Sequence, residues 1–173
     1  MGDSQPRKAQ VIRAPFRPIV TYRTSVFLAG TTSSSSGPDW RQTLTEAVSL
    51  LPVTLFNPLR PDWDSSWRED PEFEPFREQV QWELDMQEKA DVVVVYFGPG
   101  TDAPISLLEL GLCARAGKGV VACHKEYRKR GNVLMVCQRF GLDVVDNVDD
   151  LASTLVRKLE GLLGQAAQGR ETL

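Results

Sequence analysis

Apolar and polar positions along the chain fall into alternating blocks that predict strands separated by helices. Ser25 to Ala29 (SVFLA) is a short apolar strand. Asp91 to Phe97 (DVVVVYF) is a continuous apolar run, the pattern of a strand covered on both faces. Val53 to Phe56, Gly119 to Cys123 and Asp143 to Val145 bring the predicted strands to five. Between and after them lie five predicted helices: Pro38 to about Leu51, Glu72 to Ala90, Pro104 to Ala116, Asn132 to Arg139 and Asp149 to Leu163. Strands separated by helices imply right-handed crossovers and a parallel sheet. The predicted fold is therefore α/β: a doubly wound, flavodoxin-like, five-stranded sheet flanked by helices, in one domain from 25 to 163.

The flanks read differently. Residues 1 to about 10 are polar and predict a disordered start. Gln10 to Val20 (QVIRAPFRPIV) carries two prolines, which cannot donate to a sheet ladder. It reads as an extended arm lying on the domain, so residues 1–24 stand outside the core. The tail, 164–173, is expected to fray.

Doubly wound sheets bind ligands at the carboxyl ends of their strands. Three loops fall there: Gly30 to Gly37, Asn57 to Pro71 and Gly98 to Ala103. The second is longer than most connections, and loops of that length tend to be functional.

Composition narrows the class. The 173 residues are 42% apolar and 25% charged, with a formal net charge of -3. That balance suits one soluble domain and gives no electrostatic reason to expect nucleic acid or an anionic membrane as partner. No apolar run approaches the roughly 20 residues that span a bilayer, and Met1 to Lys8 does not resemble a signal peptide. Cys113, Cys123 and Cys137 lack metal-type spacing and read as buried free thiols in a reducing compartment, so a cytoplasmic location is expected. With one histidine, His124, neither a His-rich metal site nor a Ser-His-Asp triad is expected. Neither a metal nor an organic cofactor is called for.

The candidate chemistry lies in carboxylates at unusual positions. The helix from Pro104 is apolar nearly all round, and Glu109 is its only acid. A buried carboxylate costs several kcal/mol unless it is paired or put to use. Glu109 is thus either matched by Arg115 or Arg41, or a working group. Phe73, Phe76, Val80, Leu84 and Gln87 follow helical spacing, and Glu83, three residues after Val80, falls on or at the edge of that face. Asp102 either caps the helix at Pro104 or faces the crevice. Asp91 is expected to anchor the start of its strand. Two or three convergent carboxylates suit glycosyl transfer, with one as nucleophile and another handling the leaving-group proton. The loop Gly30-Thr-Thr-Ser-Ser-Ser-Ser-Gly37 matches neither GxGxxG nor a P-loop, although its amides could hold a phosphate. Trp63 and Trp67 are candidates for stacking on a base.

From Val26 to Leu151 the chain resembles the nucleoside 2-deoxyribosyltransferase family. The resemblance rests on Phe-Leu-Ala-Gly (27 to 30), Gly-Pro-Asp-Trp-Arg (37 to 41), Pro-Leu-Arg-Pro-Asp-Trp (58 to 63) and Gln-Val-Gln-Trp-Glu (79 to 83). It continues in Ala-Asp-Val-Val-Val-Val (90 to 95), Ser-Leu-Leu-Glu-Leu-Gly (106 to 111) and Gly-Asn-Val-Leu-Met (131 to 135). The resemblance implies that Glu109 is the nucleophile on the sugar, that Glu83 protonates the leaving nucleobase, and that Asp102 holds the sugar 5-hydroxyl. It implies that Asn132 reaches that hydroxyl from a neighbouring subunit of a homo-oligomer. The motif residues Gly30, Asp62, Trp63 and Ser106 are expected at the substrate, with Arg41 beside them. A nucleoside and a free nucleobase are the implied partners. A nucleoside 5-monophosphate N-glycosidase, with Ser33 to Ser36 and Arg41 gripping the phosphate, is the rival reading. A non-catalytic nucleotide-sensing domain is the third.

Overall fold

The computed structural model describes residues 8–32 and 39–171. Its sheet has six parallel strands in the order β1-β3-β2-β4-β5-β6. They are β1 (Gln10–Arg13), β2 (Ser25–Gly30), β3 (Thr54–Asn57), β4 (Val92–Phe97), β5 (Gly119–Cys123) and β6 (Val144–Val145). The helices are α1 (Trp40–Ala47), α2 (Glu74–Lys89), α3 (Pro104–Arg115), α4 (Arg130–Phe140) and α5 (Val148–Glu171). The doubly wound α/β class is as the pattern predicts.

The sixth strand corrects the expectation of five. Gln10–Arg13 pairs in register with Thr54–Asn57 at the sheet edge. Its prolines do not prevent this, because the ladder ends at Ala14, whose amide donates to the Asn57 carbonyl, one residue before Pro15. The last helix is also longer than predicted. It runs to Glu171, beyond the Gly164 at which the pattern ends it. Residues 1–7, expected to be disordered, and 172–173 lie outside the described residues.

Two apolar layers sandwich the sheet. Phe27, Val93, Val95 and Phe97 point to one side, against Trp82, Leu110, Val133 and Cys137 of α2, α3 and α4. Val26, Leu28, Val92 and Val94 point to the other, against Trp40 and Leu44 of α1 and Leu151, Leu155 and Leu159 of α5. Alternate residues of one strand serve opposite layers, which is why the strands are apolar throughout. Asp91 anchors the strand start as expected, accepting from the Ser25 amide at 2.9 Å. All three cysteines are buried and free. Among the described residues no helix is long and apolar enough to cross a membrane.

The chain reverses its winding between β2 and β4, which opens a crevice at their carboxyl ends. Gly30 makes the close approach there. Its φ is +136°, and a Cβ would stand 2.5 Å from the Tyr96 carbonyl oxygen. Both the conformation and the contact exclude a side chain. Gly30→Ala is expected to lower unfolding free energy by ~3 kcal/mol, read as a reduced urea midpoint. A midpoint equal to that of the native chain would show that the strand end can yield.

Candidate active site

The acids come within range of each other's charge because α2 and α3 pack on the same face of the sheet and are joined by a hydrogen bond from Gln87 to Glu109. The buried side of α2 is not the one its apolar residues suggest. Leu84 is exposed, and Gln79, Trp82, Met86 and Gln87 are buried, with Glu83 half-buried among them. Gln79, Glu83 and Gln87 stand four residues apart, which stacks them on successive turns of one face. They form a polar stripe whose last member, Gln87, reaches Glu109 of α3.

Glu109 is on the inner side of α3, 7% exposed. Gln87 Nε2 donates to its Oε1 at 3.0 Å. No ion pair is made by Glu109 or Glu83 among the described residues, so neither Arg115 nor Arg41 pairs with the buried acid directly. Gln79 Nε2 donates to Glu83 Oε1 at 2.8 Å and to the Pro58 carbonyl at 2.9 Å. Each acid is therefore steadied by a neutral amide of the same helix α2.

Burial pushes the Glu109 carboxyl up to about 8, and the nearby Glu83 charge pushes the same way; the Arg41 field and the Gln87 hydrogen bond oppose both. Glu83 is also raised, again chiefly by burial, with Gln79 and Arg41 opposing. Two carboxylates in mutual range resist double ionisation, and the pair titrates as a unit.

Arg41 faces this pair from α1. Asp39 starts that helix by accepting from the Arg41 amide at 3.0 Å. The Arg41 guanidinium is 2% exposed. Its Nε, Nη1 and Nη2 donate to the carbonyls of Leu28, Thr31 and Gly30 at 3.3, 3.2 and 3.0 Å. Trp40 lies beneath it, 4.3 Å from ring centroid to guanidinium carbon, and gives its indole N–H to the Thr31 carbonyl at 3.0 Å. Thr31 Oγ1 in turn accepts from the Gly98 amide at 2.9 Å. The clamp ties together the first residues after β2 and β4. Desolvation lowers the Arg41 guanidinium to about 10, while Asp39, Glu109 and Glu83 raise it.

The other expected site residues lie around this centre. Ser106 is buried three residues before Glu109, on the same side of α3. Asp102 does not cap α3. Ala103, with a left-handed backbone, occupies the cap position and no side chain bonds there. The Asp102 carboxylate instead pairs with Arg128 at 2.8 Å, and its carbonyl accepts from the Tyr127 hydroxyl at 2.7 Å. Asp62 is exposed and held by Arg60, which also binds Glu78 of α2 at 2.7 Å. Trp63 is half-exposed and packs on Trp67 with centroids 5.0 Å apart. Asn132 is exposed in the first turn of α4. Ser33 to Ser36, read as a phosphate loop, lie outside the described residues. A separate open groove of about 650 Å³ runs between the arm, β1 and α1. Neither acid lines it.

Gln79 is missed by an apolar reading of α2, and Gln87 is read there as a face residue rather than as the acid's partner. The repeated polar residue every fourth position, flanked by Trp82 and Met86, is the signal that identifies them.

A family model described as "Nucleoside 2-deoxyribosyltransferase like" matches residues 23–127. The chain belongs to this family. Gly30, Arg41, Asp62, Trp63, Glu83, Asp102, Ser106 and Glu109 of this nucleoside 2-deoxyribosyltransferase-like chain lie inside the match, and Asn132 lies beyond it. No curated protein matches the chain. Among solved structures, a conserved protein from Enterococcus faecalis V583 is similar at a TM-score of 0.57 and 15% identity, over 78% of this chain and 98% of that one. That likeness concerns the fold.

The raised Glu109 carboxyl has a consequence for stability. Its unfolded form releases a proton near the ordinary 4.5 and its folded form near 8. Between those limits the folded state holds more protons, so this group's contribution is full at low pH and is lost as pH rises through 8. Glu109→Gln keeps an acceptor for Gln87 without the charge. The variant is expected to gain on the native chain by roughly 1 kcal/mol per pH unit from about pH 5 to pH 8. Parallel urea titrations read this, and a constant difference across that range would contradict the burial argument.

Proposed function

We propose that the protein is a nucleoside 2-deoxyribosyltransferase that exchanges the base of a (deoxy)ribonucleoside with retention, through a glycosyl ester on Glu109. The observation that carries this reading is Glu109 itself: a buried acid with one amide donor, no contacting cation among the described residues and a second acid in range. Membership of a nucleoside 2-deoxyribosyltransferase-like family supports a nucleoside as the substrate class.

In this mechanism the Glu109 carboxylate attacks the anomeric carbon. The C–N bond breaks, its electron pair stays on the base nitrogen, and Glu83 delivers a proton to the base. With the substrate absent, burial raises both carboxyls and the two titrate as a unit. In the reactive form the shared proton stands on Glu83, ready for the departing base, and Glu109 is ionised as the nucleophile. The developing oxocarbenium charge favours this form, because it stabilises an ionised Glu109. A second base then attacks the ester carbon from the same face and returns its proton to Glu83. Water in place of that base gives hydrolysis.

Transfer is preferred to a phosphate-dependent hydrolase for a specific reason. Arg41, the expected phosphate ligand, is buried and directs three N–H groups at backbone carbonyls. The Trp63–Trp67 pair beside α2 also suits a site that holds a base and excludes water.

The working unit in this proposal is a dimer or larger assembly of the same chain. Ile105, Leu108 and Leu112 recur at helical spacing on the outer side of α3 and are exposed, Leu108 at 62%. Met135 on the neighbouring α4 is 66% exposed. Such a stripe on two adjacent helices is the kind of apolar face that oligomers cover. It adjoins Glu109 on α3 and Asn132 on α4, so a second copy docked there could bring its Asn132 to the site.

The decisive assay incubates deoxyinosine with and without free adenine, followed by chromatography. Deoxyadenosine formed only with adenine is the expected result. Free hypoxanthine without any new nucleoside would assign hydrolysis instead, and inert samples across several donors would refute the enzyme reading. Glu109→Ala should reduce turnover by at least a thousandfold while remaining folded; native-rate turnover would remove Glu109 from the mechanism. Leu112→Lys should convert the assembly to monomer on size-exclusion chromatography and depress turnover. A fully active monomeric native chain would overturn the shared site.

A further inference from the structure

Two side-chain carbonyls beside the acids, Gln79 Oε1 and Gln87 Oε1, are buried and accept no hydrogen bond among the described residues. The residues are 4% and 8% exposed. An acceptor left so is costly, by about 1–3 kcal/mol, and calls for a partner. The two cases differ. Gln87 has one recorded acceptor, the Glu109 carboxylate. When Glu109 holds its proton, a turn of the Gln87 amide lets that O–H donate to Oε1, and the vacancy closes. Gln79 cannot turn in this way. Its Nε2 serves both Glu83 and the Pro58 carbonyl, and a backbone carbonyl only accepts. Turning the amide would set two oxygens against each other. Gln79 Oε1 is therefore committed as an acceptor, next to Glu83 and at the root of the loop that carries Trp63.

We propose that Gln79 is a specificity-determining residue that accepts an N–H from the nucleobase, and that the enzyme thereby prefers amino bases to their oxo counterparts. This rests on the proposed function, in which Glu83 donates a proton to the base. A base that fits both groups must offer an acceptor to Glu83 and an adjacent donor to Gln79. Adenine does so with N7 and its 6-amino group, and cytosine with N3 and its 4-amino group. Hypoxanthine presents two acceptors along the same edge. Uracil presents N–H and carbonyl in the reverse order. An oxo group would face the Gln79 carbonyl with no hydrogen between them, which is the arrangement that discriminates most strongly. Pro58 gives the contact a second effect: a base bound to Gln79 steadies the start of the 58–73 loop through the same amide.

The test is calorimetric titration of free adenine, purine, hypoxanthine, cytosine and uracil into the full chain, native and Gln79→Met, with base exchange between deoxyadenosine and cytosine assayed alongside. The expected result is that adenine binds the native chain at least tenfold tighter than purine or hypoxanthine, with cytosine over uracil in the same sense. Gln79→Met should bring these ratios close to one. Base binding by the native chain without amino preference would overturn the inference and leave the transferase intact. A preference that survives in a folded Gln79→Met would overturn it equally. Absence of both base binding and exchange would overturn the proposed function, and the inference with it. Should Gln79→Met fail to fold, the purine against adenine ratio in the native chain still decides.

Discussion

Glu109 lies on the inner side of a helix whose other residues are nearly all apolar, and among the described residues one amide hydrogen bond meets its carboxylate. A charge in that position is expensive, and the surroundings reduce the expense without removing it. Gln87 supplies a donor that carries no charge. Arg41 supplies a field without contact, because its guanidinium is spent on carbonyls at the end of β2. The acid thus stays protonatable near neutral pH and is not locked into an ion pair. A structural salt bridge would stabilise the fold better and leave a weaker nucleophile. The arrangement reads as stability given up for chemistry.

The same clamp that leaves Glu109 unpaired builds the crevice. Arg41 and Trp40 hold the Thr31 carbonyl, Thr31 holds the Gly98 amide, and Gly30 passes against Tyr96 where no side chain fits. These contacts join the two loops at the point where the sheet reverses its winding. Sheet topology decides where a ligand can enter, and the clamp decides how wide the entrance stands. The acids then reach that entrance from the opposite layer, through α2 and α3.

Much of this is legible in the amino-acid sequence, and each exception has a physical cause. Strands such as VVVVYF are apolar because both faces are covered, so their period and position emerge directly. Glu109 stood out because its helix had no other acid. The spacing of Phe73, Phe76, Val80, Leu84 and Gln87 puts Glu83 on the inner side of α2 but includes Leu84, which is exposed, and omits Gln79, which is buried. Hydrophobic periodicity finds cores, and it errs where a buried face is polar because it serves a site. The edge strand Gln10–Arg13 escaped for a different reason, since two prolines just beyond it masked a four-residue ladder. Asp102 is paired outward with Arg128, a contact set by the β5–α4 loop that no local pattern reveals.

Trapping the intermediate tests the central claim most directly. The chain is mixed with deoxyinosine, quenched in acid within the turnover time, and analysed by intact mass and peptide mapping. The account predicts a deoxyribosyl adduct on the peptide containing Glu109, discharged when adenine is added before the quench. Base release with no adduct at any quench time, or an adduct on another residue, would contradict it.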